Sequence, residues 1–310
     1  MMRDALLADL EEIEDVEVLC AYDHRLAAPV VQHAVVVNAQ DDVWQTWEGL
    51  IAGADAVWLI APESSGILLR LTELVAKHGK LLLGCPSSAV RLAASKLTTI
   101  RALTRAGIDC VPTCSAQEWL AGTRFSGEGG WVIKPDDGVS CEGSIHLHDD
   151  MEVDEWLMQN RQLTYIVQPW RPGLAASLSM LCRDGRAWLL SCNRQMVLPD
   201  AGRFYFQGSV INGLSQYWNL FERLAQQTAQ AAPNLAGYIG VDLMLGIDDP
   251  LVLEVLEINP RLTTSYAGLR QATGVNVTAL ILTLFGKNVL ERSRFSLPQI
   301  SRNIVDITLK

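Results

Sequence analysis

The most informative segment of this sequence is Leu253-Glu254-Val255-Leu256-Glu257-Ile258-Asn259-Pro260-Arg261. Alternate side chains of a strand share a face, so Glu257 and Asn259 point the same way and place a carboxylate beside an amide oxygen. Mg²⁺ takes oxygen ligands of this kind, usually one or two carboxylates completed by nucleotide phosphates. Pro260 ends the strand and determines where Arg261 leaves it. A solvated edge strand with ordinary charges is the alternative, and this segment alone leaves both interpretations open.

An apolar run earlier in the chain completes this candidate site. Residues 240–245 and 251–258 predict an antiparallel pair around Asp248-Asp249-Pro250, a typical hairpin turn. Asp242 lies on the first of these strands and supplies a second carboxylate. Arg261, just beyond the second strand, is placed to bridge to a transferring phosphoryl group. The predicted metal ligands are therefore Asp242, Glu257 and Asn259.

A second signal is a lysine followed by a glycine-bracketed loop. Lys134 ends the apolar strand 131–134, and Gly138 and Gly143 bracket the loop behind it, with Ser140 between them. Lysine supplies a point charge for phosphate, and glycines let backbone amides approach phosphate oxygens closely. These four residues are therefore candidate nucleotide contacts. A plain hairpin turn is the alternative, and we interpret Cys141 in this loop as an incidental thiol.

A third signal is a strand that breaks into a proline-rich linker, Gln168-Pro169-Trp170-Arg171-Pro172-Gly173. A linker between two lobes can present backbone donors and acceptors to an adenine edge. Gln168, Pro169 and Trp170 are therefore candidate nucleotide contacts, although an ordinary loop with a packed tryptophan is the alternative. Lys96 is a fourth element, but a single lysine in a helix is more often a surface charge.

The composition indicates a folded, acidic protein. Hydrophobic residues make up 49% of the 310 residues and charged residues 19%, which argues against a disordered or fibrous chain. The formal net charge is -10, so we expect no nucleic acid or membrane partner. No apolar run reaches the roughly 18–20 residues that cross a bilayer. Seven scattered cysteines indicate reduced thiols, and together with an N-terminus unlike a secretory signal they predict a cytoplasmic protein.

The order of elements predicts two or three domains of the α/β (α+β) class. In the first third, strands alternate with helices, which predicts a parallel sheet with helices on both sides. Ser87 or Ser88 is expected to cap a helix over 90–106. Short strands of antiparallel character follow. The predicted strands are 16–22, 34–37, 56–61, 80–84, 131–134, 144–147, 165–168, 177–182, 187–192 and 204–211, and the other helices are 43–52, 67–78, 216–231 and 267–285.

Three common motifs are missing from the sequence. It has no G-x-x-x-x-G-K-[ST] phosphate loop, no G-x-G-x-x-G after the first strands and no G-x-S-x-G elbow. His146 and His148 share one face of a strand, but no carboxylate-rich segment accompanies them. We therefore interpret both as surface histidines.

The order of the singled-out residues resembles the ATP-grasp superfamily of carboxylate–amine ligases. Lys96, the loop after Lys134, the linker after Gln168, Asp242 and the segment 257–261 follow one another as in that superfamily. The resemblance implies an ATP-grasp fold behind an N-terminal parallel-sheet (Rossmann-like) pre-ATP-grasp domain. The expected boundaries are 1–90 for that domain, 91–168 for a small lid subdomain and 169–310 for a C-terminal subdomain with the metal site.

Within that superfamily, three segments are similar to the tyramine–L-glutamate ligase group of methanofuran and methylofuran biosynthesis. They are residues 2–10, Ala61-Pro62-Glu63 and residues 257–266. The resemblance implies small-molecule substrates, namely L-glutamate and either tyrosine or tyramine. It also implies a homodimer.

The resemblance implies a reaction as well. A carboxylate takes the γ-phosphoryl group of ATP and becomes an acyl phosphate, from which an amine displaces phosphate to give an amide. Mg²⁺, expected as two ions, would align the phosphates. Lys96 and Lys134 are expected to hold the upstream phosphates, and Arg261 to stabilise charge at the transferring group. The loop 138–143 is expected to close and exclude water.

Further residues are candidate substrate contacts. Arg194 is placed to meet the acyl phosphate or a substrate carboxylate, although a surface arginine is equally consistent. Three small hydroxyl residues beside the metal strand suit an amino-acid substrate or, equally, cap the last helix. Arg270 is a weaker candidate for a second carboxylate. The three hydroxyl residues are Thr263, Thr264 and Ser265.

Two departures from the superfamily pattern leave alternatives open. Relatives usually open with a strand and a glycine-rich turn, whereas this chain starts at the helix over residues 2–10. Many ATP-grasp proteins carry a glutamate shortly after the linker for the ribose hydroxyls, whereas this sequence has Gly173-Leu174-Ala175-Ala176-Ser177. A ligase for another amino acid and a nucleotide-binding regulatory protein without catalysis are the alternative functions.

Overall fold

The computed structural model describes residues 1–139, 141–161, 164–246, 252–286 and 295–309. Its helices are α1 (Met2–Glu11), α2 (Val43–Gly53), α3 (Ile67–Lys77), α4 (Ser87–Ala93), α5 (Lys96–Arg105), α6 (Ala116–Leu120), α7 (Asp150–Gln159), α8 (Trp218–Ala231), α9 (Tyr266–Thr273) and α10 (Val277–Phe285). Its strands are β1 (Leu19–Asp23), β2 (His33–Val37), β3 (Ala56–Val57), β4 (Leu81–Leu82), β5 (Cys114–Ser115), β6 (Trp131–Pro135), β7 (Ile145–Leu147), β8 (Tyr165–Pro169), β9 (Leu174–Arg183), β10 (Arg186–Asp200), β11 (Arg203–Ile211), β12 (Gly237–Leu245), β13 (Leu253–Asn259) and β14 (Val305–Thr308). The mixed α/β class is confirmed.

The N-terminal region, residues 1–90, contains parallel strand pairs. β1 pairs with β2 and β3 with β4, both in parallel, as predicted. Among the described residues, however, the four strands form two separate pairs rather than one sheet. β1 and β2 remain partly exposed along their length, whereas a parallel sheet is stable when both faces are covered. The apolar core here lies instead where Ile51 of α2 meets Leu71 and Val75 of α3.

The predicted helix over 90–106 is two helices. Ser95 has extended backbone angles, and its side chain accepts a hydrogen bond from the Thr98 N–H (3.1 Å), so α5 begins anew after α4. Neither predicted serine caps α4, because Pro86 holds the cap position and Ser87 is already helical. This break places Lys96 at the first turn of α5.

The predicted helix over 267–285 is also interrupted. Gly274 has a φ of 76°, a left-handed conformation that ends α9. Asn276 then accepts a hydrogen bond from the Ala279 N–H (3.0 Å) and caps α10. A glycine and a cap residue thus override a continuous apolar periodicity.

The other strands build the sheet that carries the candidate site. Within the described residues its order is β13-β12-β9-β10-β11-β7-β6-β8-β5, with β14 beside β11. The neighbouring strands pair in antiparallel fashion, which confirms the character predicted for this part of the chain. α8 packs on β9 and β10, and its Phe221 is buried in the same apolar cluster as Leu178 and Val241. The predicted turn Asp248-Asp249-Pro250 lies outside the described residues.

Two further expectations concern the chain as a whole. In the described part of the chain, no helix combines the length and the apolar character needed to cross a membrane. The seven cysteines are free, as predicted.

Candidate active site

An acidic cluster forms where β12 pairs with β13. Asp242 stands opposite Glu257, and Gly240 opposite Asn259, in the antiparallel register. The Asn259 amide donates to Asp242 Oδ2 (3.0 Å). The tertiary structure therefore brings together the three side chains that the sequence predicts as metal ligands.

Burial and charge separate the two carboxyl groups of this cluster. Burial raises the pKa of Asp242 to about 8, and the neighbouring Glu257 carboxylate adds to the rise. Burial acts in the same direction on Glu257, but the charges of Lys96 and Lys134 outweigh it and hold the pKa of Glu257 well below its usual range. The pair therefore retains one proton at neutral pH, which a divalent cation would displace.

The donor set fits Mg²⁺. Two carboxylates and one amide oxygen are hard ligands, which Mg²⁺ prefers. Few protein ligands are needed when phosphates and water complete the coordination shell of the ion. Among the described residues, no group of three or more His, Cys, Asp and Glu side chains is placed to hold a metal ion. An ion at Asp242 and Glu257 therefore needs oxygen atoms from a bound nucleotide or from water.

Lys96 joins α5 to the cluster and to the loop after β6. Its Nζ lies 3.0 Å from Glu257 Oε2 and donates to the Gly138 carbonyl (2.5 Å). Its backbone N–H donates to the Asp136 carbonyl (3.1 Å). Lys96 is only 7% exposed, so the alternative of an ordinary surface lysine is wrong.

Lys134 reaches the same cluster from the end of β6. Burial lowers its pKa, and the charge of Glu257 opposes that shift. Gly143, in the loop, has a φ of 70° and lies against Pro135, where a Cβ would come within 2.9 Å of the proline ring. Ser140, the fourth predicted residue of this loop, lies outside the described residues.

A cleft of about 410 Å³ opens beside the cluster. Its volume falls in the range of small-molecule sites, and its lining combines apolar walls with a few charged groups. Nine of the residues predicted from the sequence line it. They are Lys96, Lys134, Gly138, Gln168, Pro169, Trp170, Arg194, Asp242 and Glu257.

The predicted linker residues lie at one end of this cleft. Gln168 is buried and donates to Thr113 Oγ1 (2.8 Å). The Trp170 ring stacks on Phe204 with centroids 5.8 Å apart and also contacts the His146 ring. Trp170 is therefore both packed and exposed to the cleft, so the two interpretations of this residue are compatible. His148 is exposed, as predicted, whereas His146, also predicted at the surface, is half-buried, and its Nε2 lies 2.6 Å from the Gly129 carbonyl.

Arg261 lies outside the cleft lining and contacts the N-terminal region. Its Nε and Nη2 donate to one oxygen, Oε2 of Glu63, at 3.0 and 2.8 Å. Its Nη1 donates to the Leu262 carbonyl (3.1 Å). Cys85, Tyr238 and Arg261 help to line a second cavity of about 20 Å³.

The predicted substrate residues hold other contacts. Thr263 Oγ1 hydrogen-bonds with the Tyr238 hydroxyl (2.8 Å), and Ser265 donates to Ser209 Oγ (3.4 Å) without capping α9. Arg270 pairs with Asp9 of α1 (3.2 Å) and with Glu12, just after α1. These residues, and Thr264 between them, are not among those that line the cleft.

Sequence reasoning missed two residues of this site. Gln195 on β10 donates to Asp242 Oδ1 (2.7 Å), across 47 positions of the chain. Glu63 holds Arg261 across 198 positions. No local pattern marks Gln195, whereas Glu63 belongs to a segment singled out by resemblance but without a role.

Comparison with protein families matches two regions of the chain. Residues 16–90 match the model of the pre ATP-grasp 3 domain. Residues 93–265 match the model of the ATP-grasp domain. The second match alone covers more than half of the chain.

Two curated relatives are similar along most of the sequence. The tyramine–L-glutamate ligase of Methanocaldococcus fervens is 25% identical over 274 residues, which cover 87% of this chain and 81% of the relative. The enzyme of the same name from Methanocaldococcus jannaschii is 26% identical over 216 residues, or 70% of this chain and 58% of the relative.

Solved structures share the fold at low sequence identity. The biotin carboxylase domain of 2-oxoglutarate carboxylase from Hydrogenobacter thermophilus has a TM-score of 0.76 at 13% identity, over 97% of this chain and 70% of that one. The L-amino acid ligase of Bacillus licheniformis has a TM-score of 0.69 at 18% identity, over 94% and 74%. These similarities establish the fold.

Proposed function

The chain belongs to the ATP-grasp family and is an ATP-dependent carboxylate–amine ligase, and we propose that it joins L-glutamate to tyramine or tyrosine. The proposed pathway is methanofuran- or methylofuran-type cofactor biosynthesis. The relatives named as tyramine–L-glutamate ligases support this substrate pair. The observation that carries the proposal is the convergence of Asp242, Glu257, Lys96 and Lys134 beside a cleft of about 410 Å³.

The proposed domain boundaries follow the site. Residues 1–90 form the pre-ATP-grasp domain, 91–168 the lid subdomain and 169–310 the C-terminal subdomain with the metal site. In this arrangement Lys96 and Lys134 belong to the lid, while Asp242 and Glu257 belong to the C-terminal subdomain. The nucleotide phosphates would therefore bind where the two subdomains face each other.

The residues present can hold Mg²⁺ and ATP. Asp242, Glu257 and Asn259 would hold the metal, proposed as two ions, and the linker residues Gln168, Pro169 and Trp170 would face the adenine. When bound, Mg·ATP supplies the γ-phosphoryl group that activates the substrate carboxylate and offsets the charge of the phosphates.

The side chains of the chain then have separate tasks. Lys96 and Lys134 offset the charge of the upstream phosphates, since both already face Glu257. The loop 138–143, tied to Lys96 through the Gly138 carbonyl, excludes water from the activated carboxylate. Arg194 lines the cleft and would bind a substrate carboxylate. Arg261 is proposed to stabilise charge at the transferring group.

Thr263, Thr264, Ser265 and Arg270 stay predictions as substrate residues. Thr263 and Ser265 have hydroxyl partners, and Arg270 has two carboxylate partners, in α1 and just after it. A substrate would have to displace these contacts. Arg194 is therefore the preferred carboxylate contact.

A screen of ADP release tests the proposed function. The protein is incubated with Mg·ATP and single amino acids, with tyramine or tyrosine as the amine. We expect ADP release that requires both L-glutamate and one of these amines. Dependence on another amino acid would replace the substrate assignment, and ATP binding without substrate-dependent ADP release would indicate a regulatory nucleotide-binding protein.

Light scattering tests the proposed homodimer.

A further inference from the structure

The turn over residues 63–66 contacts the candidate site at two points. The Ser65 N–H donates to Asp137 Oδ2 (3.1 Å), in the loop that follows Lys134. Glu63, at the start of the turn, accepts two hydrogen bonds from Arg261, which follows the metal strand. The phosphate side and the metal side of the site therefore meet at one short segment of the N-terminal region.

Glu63 is a buried carboxylate with one oxygen in use. The residue is 6% exposed, and Oε2 accepts both hydrogen bonds from Arg261. The other oxygen, Oε1, is buried and has no hydrogen-bond partner among the described residues. A buried acceptor without a donor is costly, more so when it is charged, and such groups in native structures call for an explanation such as a ligand.

We propose that Glu63 Oε1 binds the ammonium group of the amine substrate. A carboxylate oxygen only accepts hydrogen bonds, and a cationic donor relieves its burial better than a neutral donor does.

The position of Glu63 also suits the second step of the reaction. Its Oε2 accepts hydrogen bonds from the Arg261 guanidinium, which is proposed to stabilise the activated carboxylate. The ammonium first passes a proton to Oε1, and the free amine then attacks the acyl carbon and displaces phosphate. This inference rests on the proposed function, because it assumes an amine acceptor.

Glu63→Gln separates amine binding from acid activation. The substitution keeps an oxygen for Arg261 and puts an N–H₂ donor where the ammonium would bind. We expect the KM for tyramine, and its Kd by calorimetry, to rise about 10- to 100-fold. Hydroxylamine is uncharged at neutral pH and needs no ammonium site, so hydroxamate formation from L-glutamate should fall much less than amide formation with tyramine.

Two further variants control this experiment. Glu73→Gln removes a carboxylate from the exposed face of α3 and should leave both reactions unchanged. Glu63→Asp keeps the charge, so it should recover part of the tyramine affinity and serves if Glu63→Gln fails to fold. Parallel loss of hydroxamate and amide formation would overturn the inference, because Glu63 would then act only through Arg261. An unchanged KM for tyramine would overturn it too.

The controls also distinguish a failure of this inference from a failure of the proposed function. Wild-type protein that forms no hydroxamate with any amino acid contradicts the proposed function, and with it this inference. Activity of the wild-type protein with another amine supports the proposed class of reaction but replaces tyramine as the amine. The Glu63 variants are then assayed with that amine in place of tyramine, and the same outcomes support or overturn the inference.

Discussion

Glu257 faces one carboxyl group and two ammonium groups. Lys96 Nζ lies 3.0 Å from its Oε2, and Lys134 also lowers its pKa. Asp242 stands opposite it and retains a proton because of burial and this neighbouring charge. The charge of Glu257 thus influences the protonation of Asp242 and the position of Lys96, so single substitutions here test the site directly.

Glu257→Gln should lower the rate of ADP formation about 100-fold or more. The substitution removes a charge that the proposed metal and both lysines require, while shape and size are nearly unchanged. The measurement is kcat with saturating Mg·ATP, together with the thermal midpoint, which shows whether the variant is folded at the assay temperature. Glu222→Gln on the exposed face of α8 is the matched control. Near wild-type turnover of the Glu257 variant would contradict the metal assignment.

Arg261→Lys should lower kcat/KM about tenfold or more, although the charge is kept. The planar guanidinium donates through Nε and Nη2 to Glu63, and an ammonium group cannot reproduce this geometry. Steady-state kinetics with each substrate varied in turn measure the effect. An unchanged kcat/KM would count against a role for the guanidinium.

Helix ends decide the local geometry at the scale of elements. α5 begins at Lys96 because Ser95 caps it, and that start points the lysine toward Gly138 and Glu257. α9 ends at Gly274, and Asn276, the cap residue of α10, donates to the Asp9 carbonyl of α1 (2.8 Å). Both breaks lie close to contacts that hold the N-terminal region or the site.

Gly274→Ala should lower the free energy of unfolding by about 1 kcal/mol or more. The residue has a φ of 76°, where a Cβ is strained even though its nearest neighbour, Ser301 Oγ, would lie at an ordinary contact distance of 3.5 Å. Gly49→Ala, inside α2 with nothing near its Cβ, should instead stabilise by about 0.5–1 kcal/mol. Urea unfolding of both variants measures the difference. A stabilising Gly274→Ala would show that the helix break does not depend on the left-handed conformation.

At the scale of the whole molecule, a nucleotide at the cleft would connect separate parts of the chain. Lys96 and Lys134 come from α5 and β6, whereas Asp242 and Glu257 come from the β12–β13 hairpin. A ligand that contacts both groups stabilises the folded state by mass action, by about 2.7 kcal/mol at a concentration of 100 times its Kd.

Mg·ADP should therefore raise the thermal midpoint by several degrees, and chelation of the metal should remove most of the rise. Asp242→Asn should lose the part that depends on magnesium, because one of the two carboxylates is replaced. Thermal unfolding with ADP, with and without Mg²⁺, measures this. Equal shifts for wild-type protein and the variant would place the metal elsewhere.

Local patterns in the sequence were sufficient to predict several residues of the candidate site. Strand alternation at residues 257 and 259, a proline after them, and a lysine before a glycine-bracketed loop are short-range signals, and the structure brings these side chains together. The prediction did not use Ser95 and Gly274, although a serine before a helix and a glycine after one are local signals of helix ends.

Folding over long distances decided the remaining contacts. Gln195 reaches Asp242, Glu63 reaches Arg261, and Asp9 takes Arg270 away from the cleft, at separations of 47, 198 and 261 positions. A side chain's partner depends on which strands and helices pack side by side, and neither periodicity nor residue type specifies that packing. The sequence therefore indicated the chemistry of the candidate metal site, whereas the partners of Arg261 and Arg270 followed from the packing of the N-terminal region against the rest of the chain.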